Sequence, residues 1–342
     1  MSGHDPAIPF RGRVSEAKSA ASSPNQDGAL APEKARVTSH PWRGYFLIAA
    51  ATFCWGAAAT AGKAVFNGRL FSGGAPISPL VLSQARATFS ILVLLLFLLF
   101  RFGPKFFRIN ARDLLLCVMV GTLGLAGSNF FYYLAIQKAT VAIAITLQYT
   151  APVWVLLTMV LWGRERATLR RVAAVLLAMV GCALTIDAFH SGLSFRSVGV
   201  AAALVASFSF AFYNIAAQRL VTRNHPFKVM AYTLAGTACL WAILNPPWRL
   251  LARGFTSGQW MFLFLFACLS MLLPYFFYFN GLKYLDPTRA VIASCLEPVF
   301  AILFAATFVH EGLRPVQALG IMAVLAAGVM VQTQTRSAPF PE

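Results

Sequence analysis

Acidic residues are scarce in this chain. Asp and Glu number 11 among 342 residues, against 28 Lys and Arg, and charged residues of both signs make up only 11%. A soluble domain carries about 25% charged residues, so this scarcity excludes a water-solvated globule and points to a chain solvated by lipid. Cysteine is sparse as well. Cys54, Cys117, Cys182, Cys239, Cys268 and Cys295 stand singly in apolar segments, with no CxxC and no His/Cys cluster. That spacing indicates neither a disulfide framework nor a zinc site. The five histidines are too far apart to suggest a ligand set, and no cofactor is expected. HExxH, GxSxG and the Walker lysine motif are missing, and one acid alone lies deep in an apolar segment. A membrane hydrolase or phosphotransferase would lack its second group, so the chain is expected not to be an enzyme.

A net charge of +17 would suit nucleic acid if it were gathered on one face. Here the basic residues fall in short connections between apolar runs, which is the pattern of membrane topology and not of a nucleic-acid partner. Residues 1–41 contain no apolar run, hence no secretory h-region, and are rich in Ser, Ala, Pro and charge. They read as a disordered cytoplasmic tail, and Asp5, Glu16, Asp27 and Glu33 argue against a transit peptide.

What the chain does have is hydrophobic residues, 58% of the total, with a mean hydropathy of +0.69. From Trp42 onward ten apolar segments follow, at 44–66, 79–100, 112–135, 139–161, 169–188, 197–219, 228–246, 259–282, 288–308 and 314–332. Each is near the ~20 residues that span a ~30 Å hydrocarbon core. The prediction is an all-α polytopic membrane protein. Gly121, Gly124 and Gly127 supply the small residues that close helix approach needs in lipid, and Trp42, Trp162, Trp248 and Trp260 fall at segment ends, where an interfacial belt lies. The connections on the side of the N-terminal tail hold 20 Lys and Arg against six on the other side. By the positive-inside rule both termini, including a short tail at 333–342, face the cytoplasm across the cytoplasmic membrane. No soluble output domain follows residue 332, which argues against a sensor or scaffold.

One stretch occurs twice. Residues 129–165 align with residues 275–311 at a constant shift of 146 without a gap. The shift pairs Phe130-Phe131-Tyr132 with Phe276-Phe277-Tyr278, Ala144 with Ala290, Pro152-Val153 with Pro298-Val299, and Glu165 with Glu311. Chance matches apolar letters in such a chain, but seldom a mid-helix proline together with a terminal acid. The chain is therefore a duplication, with halves at 44–188 and 197–332. Five segments per half is an odd number, so the second half enters the membrane from the opposite side. Ten transmembrane helices arranged as two five-helix inverted repeats place substrate chemistry at the interface between halves, near the midplane.

The residues Ala144, Tyr149, Pro152, Gly163 and Glu165, then Ala290, Glu297, Pro298 and Glu311, resemble the A…(Y/E)…P…(G)E pattern of the EamA-type branch of the drug/metabolite transporter superfamily. Val309 stands where the first copy has Gly163. The likeness covers roughly residues 44–332. It implies two five-helix EamA repeats that move small metabolites, often exporting amino acids or related compounds, without ATP hydrolysis.

Glu297 is the acid deep within a predicted span. A charge there costs about 2.5–3.5 kcal/mol on insertion scales, tolerated if the carboxyl faces a wet cavity, pairs with a cation or stays protonated. Proton coupling or recognition of an amine is one reading; a structural pair, or a hydrogen bond to backbone freed by Pro298, is the other. Arg86 lies seven residues into the second span and shares a helical face with Ser83 and Ser90. It is placed to hold a substrate carboxylate or to pair with Glu297. Lys63, at the far end of the first span, reads as a snorkelling side chain.

At a shift of 155, Trp55, Ala59 and Lys63 match Phe210, Asn214 and Gln218, a stripe repeated in both halves that suits a shared cavity or simple helix packing. Asn129, Tyr132, Gln148, Tyr149 and Tyr278 offer neutral hydrogen bonds and aromatic walls for an amphiphilic solute. Pro152 and Pro298 are expected to kink their helices. Glu165 and Glu311, just before the next helices, read as structural caps, with Arg164, Arg166 or Arg314 as partners. The expected function is an ATP-independent, alternating-access transporter of small organic metabolites, as a monomer or homodimer in the bilayer, with protons as a candidate coupling ion. A flippase for a lipid or lipid-linked sugar is the alternative.

Overall fold

The computed structural model describes residues 41–66, 77–138, 141–187, 197–308 and 314–332. Every regular element among them is helical, as a bilayer requires when backbone groups must be bonded within their own segment. The expected tails, apart from Pro41, lie outside the described residues, as do Glu311 and the side chain of Lys63.

The chain opens with α1 (Pro41–Phe66), α2 (Pro79–Phe102) and, after a 3-10 turn at Pro104–Phe107, α3 (Ala111–Met119). Ser78 caps α2 by accepting from the Val81 amide, and Asn110 caps α3 through the Arg112 amide, so short polar side chains fix both starts. α3 passes through a π-helical turn, Val120–Ala126, into α4 (Gly127–Lys138). α5 (Val141–Gln148) and α6 (Ala151–Leu161) are parted at Tyr149–Thr150, and α7 (Leu169–Thr185) follows.

The second half begins with α8 (Ser197–Val221), α9 (Pro226–Leu244) and the short α10 (Pro247–Leu251). α11 (Ser257–Ala267) starts with a capping box between Thr256 and Gln259 and joins α12 (Leu273–Leu282) through a second π turn, Cys268–Leu272. α13 (Pro287–Ser294), capped by Asp286, and α14 (Leu296–Phe308) are parted at Cys295, and α15 (Pro315–Gln332) follows.

The two breaks have one cause. Pro152 and Pro298 have no N–H, so the carbonyls of Gln148 and Ser294, four residues earlier, lose their helical donors, and the helix opens in the turn between. Pro274 acts likewise on the Ser270 carbonyl, inside the second π turn.

Seven helical runs among the described residues are long and apolar enough to cross a membrane. Phe46, Phe100, Leu161, Ile243 and Leu319 point large apolar side chains outward, a surface suited to acyl chains and not to water. Inside, the helices pair across the two halves: α1 with α12 and α14, α2 with α9 and α11, α4 with α8, and α7 with α15.

The α7–α15 seam depends on missing side chains. A Cβ on Gly181 would lie 2.8 Å from the Val324 amide nitrogen, and one on Gly320 would run into the Thr185 amide. Such backbone approach is how helices associate where lipid offers no hydrophobic drive. Gly320→Val is therefore expected to cost about 1–3 kcal/mol in overpacking, read as a lower melting temperature in detergent. Gly328→Val, where an added Cβ meets nothing within 4 Å, is expected to melt like the parent. Equal melting of the two variants would refute this account of the seam.

Candidate functional site

Glu297 sits in the first turn of α14, half-buried, directly after the break at Cys295. The Tyr149 hydroxyl donates to its Oε2 at 2.8 Å and lies 3.3 Å from the Ser294 carbonyl. Tyr149 comes from the corresponding break in the first half and is itself buried. One phenol thus lies between an intramembrane acid, to which its single proton makes the shorter bond, and the carbonyl that Pro298 leaves without a helical donor. Gly56 lets α1 close against this turn, since a Cβ there would stand 2.8 Å from the Ala301 amide nitrogen.

Arg86 is buried in α2. Its Nη1 donates to the Tyr133 hydroxyl at 2.8 Å, and its Nη2 to the Ser270 carbonyl, also at 2.8 Å. That carbonyl is the one released by Pro274. The guanidinium carbon lies 5.6 Å from the centre of the Phe266 ring, within cation–π range. Ser90, one turn on, donates to the Ala267 carbonyl at 3.2 Å. Arg86 interacts electrostatically with Glu297, yet among the described residues the two form no ion pair. Direct pairing with Glu297, one of the two roles open to Arg86 from the sequence, is not what the fold adopts.

The other candidates divide into two groups. Trp55, Tyr278 and Asn214 come together: the Trp55 ring is 5.2 Å from those of Tyr275 and Tyr278, and the Tyr278 hydroxyl donates to Asn214 Oδ1. Asn214 is held in turn by donating to the Phe210 carbonyl at 2.7 Å. Asn129 donates to the Leu125 carbonyl at 2.7 Å, within its own helical run, and Tyr132 stacks at an angle on Tyr133, 5.5 Å between ring centres. Gln148 makes a long contact of 3.4 Å to Ser128 Oγ. Gln218, a turn beyond Asn214 on α8, is half-buried and stands apart from this network among the described residues. Tyr133, Ser270 and Ser294 are participants that the sequence reading did not single out. The position four residues before each proline is the signal that locates the last two.

The profile of the EamA-like transporter family matches residues 42–187 and 197–333. The chain belongs to the EamA-like transporter family. Among its relatives are an uncharacterized transporter of Archaeoglobus fulgidus, 29% identical over 61% of this chain and 74% of the relative, and the uncharacterized inner membrane transporter YicL of Salmonella typhimurium, 24% identical over 75% and 85%. The threonine/homoserine exporter RhtA of Escherichia coli is 29% identical over 64% of this chain and 72% of its own length. One crystal structure, 18% identical, superposes with a TM-score of 0.68 over 84% of this chain and 96% of that one; at that identity it speaks for the fold alone.

In this EamA-like transporter Glu165 is not a helix cap. Thr168 caps α7 by accepting from the Arg171 amide, which leaves Glu165 free to turn inward. It is buried, takes an ion pair of 3.0 Å from Arg171 Nη1, and accepts from Thr288 Oγ1 at 2.7 Å across the two halves. The ion pair that forms is thus with Arg171, three residues into the next helix, while Arg314 pairs with Asp187 at 2.7 Å. Asp286, 3.9 Å from Arg171 and 3.1 Å from Arg289, completes the cluster.

Burial and the nearby Asp286 push the Glu165 carboxyl up to about 7, outweighing Arg171, Thr288 and Arg289, which favour the charged form. Its Oε1 is buried without a hydrogen-bond partner, which disfavours the anion further. A raised acid holds its proton in the native state after the unfolded chain, with a carboxyl near 4.5, has released it. Its contribution to stability therefore falls as pH rises between those values and is level above about 7. Thermal melts from pH 5 to 8 are expected to show this decline for the parent and a flatter profile for Glu165→Gln. Parallel profiles would contradict the assignment.

Proposed function

We propose that this family member is an ATP-independent, alternating-access transporter of the cytoplasmic membrane that exports small organic metabolites such as amino acids. The described helical runs are read as ten transmembrane helices in two five-helix inverted repeats, 44–188 and 197–332, with both termini cytoplasmic. The observation that carries the reading is the hydrogen bond between Tyr149 and Glu297. It joins the two halves at the paired helix breaks, and an interface between inverted halves is where substrate and coupling sites form. A half-buried carboxyl in that position is costly in a membrane and marks a proton or substrate path. Trp55, Tyr278 and Asn214 form an aromatic and amide cluster, which Tyr278 brings within 3.5 Å of the Ser294 hydroxyl near the same break. The exporter RhtA, by its name, moves threonine and homoserine, which supports amino acids as the substrate class.

Glu297 then takes a proton or a substrate ammonium as the halves rock, and Tyr149 holds the carboxyl while it is empty. In proteoliposomes loaded with L-threonine and placed across a pH gradient, Glu297→Gln is expected to lower flux by roughly tenfold or more, a barrier change of about 1.4 kcal/mol, and to flatten its pH dependence. Tyr149→Phe is expected to keep transport and shift its pH profile. Unchanged flux and unchanged pH dependence in Glu297→Gln would remove the acid from the mechanism. Silence towards amino acids with movement of lipid headgroups would turn the reading to a flippase.

A further inference from the structure

A small cavity of about 10 Å³ lies between the halves, lined by Ser83, Arg86 and Asn129 from the first half and by Thr237, Trp241 and Met271 from the second. That volume admits about one water-sized group. Two of the lining residues present buried polar atoms without a hydrogen-bond partner, Arg86 Nε and Ser83 Oγ. Both residues are more than nine-tenths buried, at 5% and 4% exposure.

A guanidinium placed only to tie helices together would have its donors used, because an unmade hydrogen bond to a charged buried group costs more than a neutral one. Here Nη1 and Nη2 are spent on Tyr133 and on the Ser270 carbonyl, which fixes the plane of the fork. Nε is left over, in a cavity whose lining also includes the unpartnered Ser83 hydroxyl, and among the described residues no acid pairs with the charge. The walls include Ala126, which ends the first π turn, and Met271, which lies within the second. Such turns recur at functional sites because they displace backbone from its regular bonding.

We propose that this cavity receives one oxygen of the substrate carboxylate, with Arg86 Nε and Ser83 Oγ donating to that oxygen. The inference rests on the reading of the protein as an amino-acid transporter and sharpens it. Glu297 lies outside the lining of this cavity and forms no ion pair with Arg86 among the described residues, so on the proposed mechanism the two are separate anionic and cationic poles for a zwitterion. A neutral solute leaves both charges unanswered. A site built to satisfy polar groups rejects an analogue that lacks one of them more strongly than it rejects a change of apolar size.

The test uses the full-length protein in detergent and follows thermal stabilisation by matched acid and amide pairs, L-threonine with L-threoninamide and L-lactate with lactamide. Arg86→Lys, Ser83→Ala and, as a control on the same helix face, Ser90→Ala are run beside it. The expected result is an affinity for L-threonine at least about tenfold above that for its amide, about 1.4 kcal/mol, lost in Ser83→Ala and Arg86→Lys and kept in Ser90→Ala. Equal binding of acid and amide overturns the subsite while leaving amino-acid transport intact. The same holds for a preference that survives in both Ser83→Ala and Arg86→Lys. A preference for lactate over lactamide with no response to threonine keeps the subsite and removes the amino-acid reading. Silence towards both pairs removes both.

Discussion

A backbone carbonyl without a donor is among the costliest defects a membrane-spanning helix can carry, and proline creates one by construction. Pro298 frees the Ser294 carbonyl and Pro274 frees that of Ser270. In each case a polar side chain of the other half comes to that carbonyl: the Tyr149 hydroxyl lies 3.3 Å from one, and the Arg86 guanidinium donates to the other. The polar side chains of the site are thereby fixed where backbone continuity fails. Glu297 follows directly after one such point, and the unpartnered Nε of Arg86 is left beside the other. Helix rupture, inter-half bonding and the siting of charge are one arrangement.

Much of this could be read from the chain. The lengths of the apolar runs, the paired prolines, the acid at Glu297 and the shared face of Ser83, Arg86 and Ser90 are local features, visible at fixed spacing. The partners are not local. Tyr149 meets Glu297 across 148 residues and Arg86 meets Ser270 across 184, and neither pairing leaves a trace in periodicity. Glu165 shows how a local rule misleads: an acid before a helix suggests a cap, but Thr168 stands closer to the helix start and takes that role. The acid is then released to Arg171 and Thr288. The first π turn was equally hidden, since glycines at 121, 124 and 127 read as close-packing residues. Gly121 does face the Thr233 carbonyl at contact distance, and that close approach is what the turn accommodates.

The duplication is faithful in backbone and unfaithful in charge. Breaks recur at Tyr149–Thr150 and Cys295, and π turns at Val120–Ala126 and Cys268–Leu272, in register with the shift of 146. At the same shift Glu297 corresponds to Ala151, Asp286 to Thr140, Thr288 to Ala142 and Arg289 to Ile143. The devices that allow helices to bend are therefore present in both halves, whereas the intramembrane acid and the Asp286 and Arg289 charges around Glu165 have uncharged residues at the matching positions of the first half. On the proposed alternating-access mechanism this difference has an energetic meaning. Two conformations that exchange the roles of identical halves would be equal in free energy, and a ligand or proton shifts them only by what it binds differently in each. Unshared charges make the two states unequal.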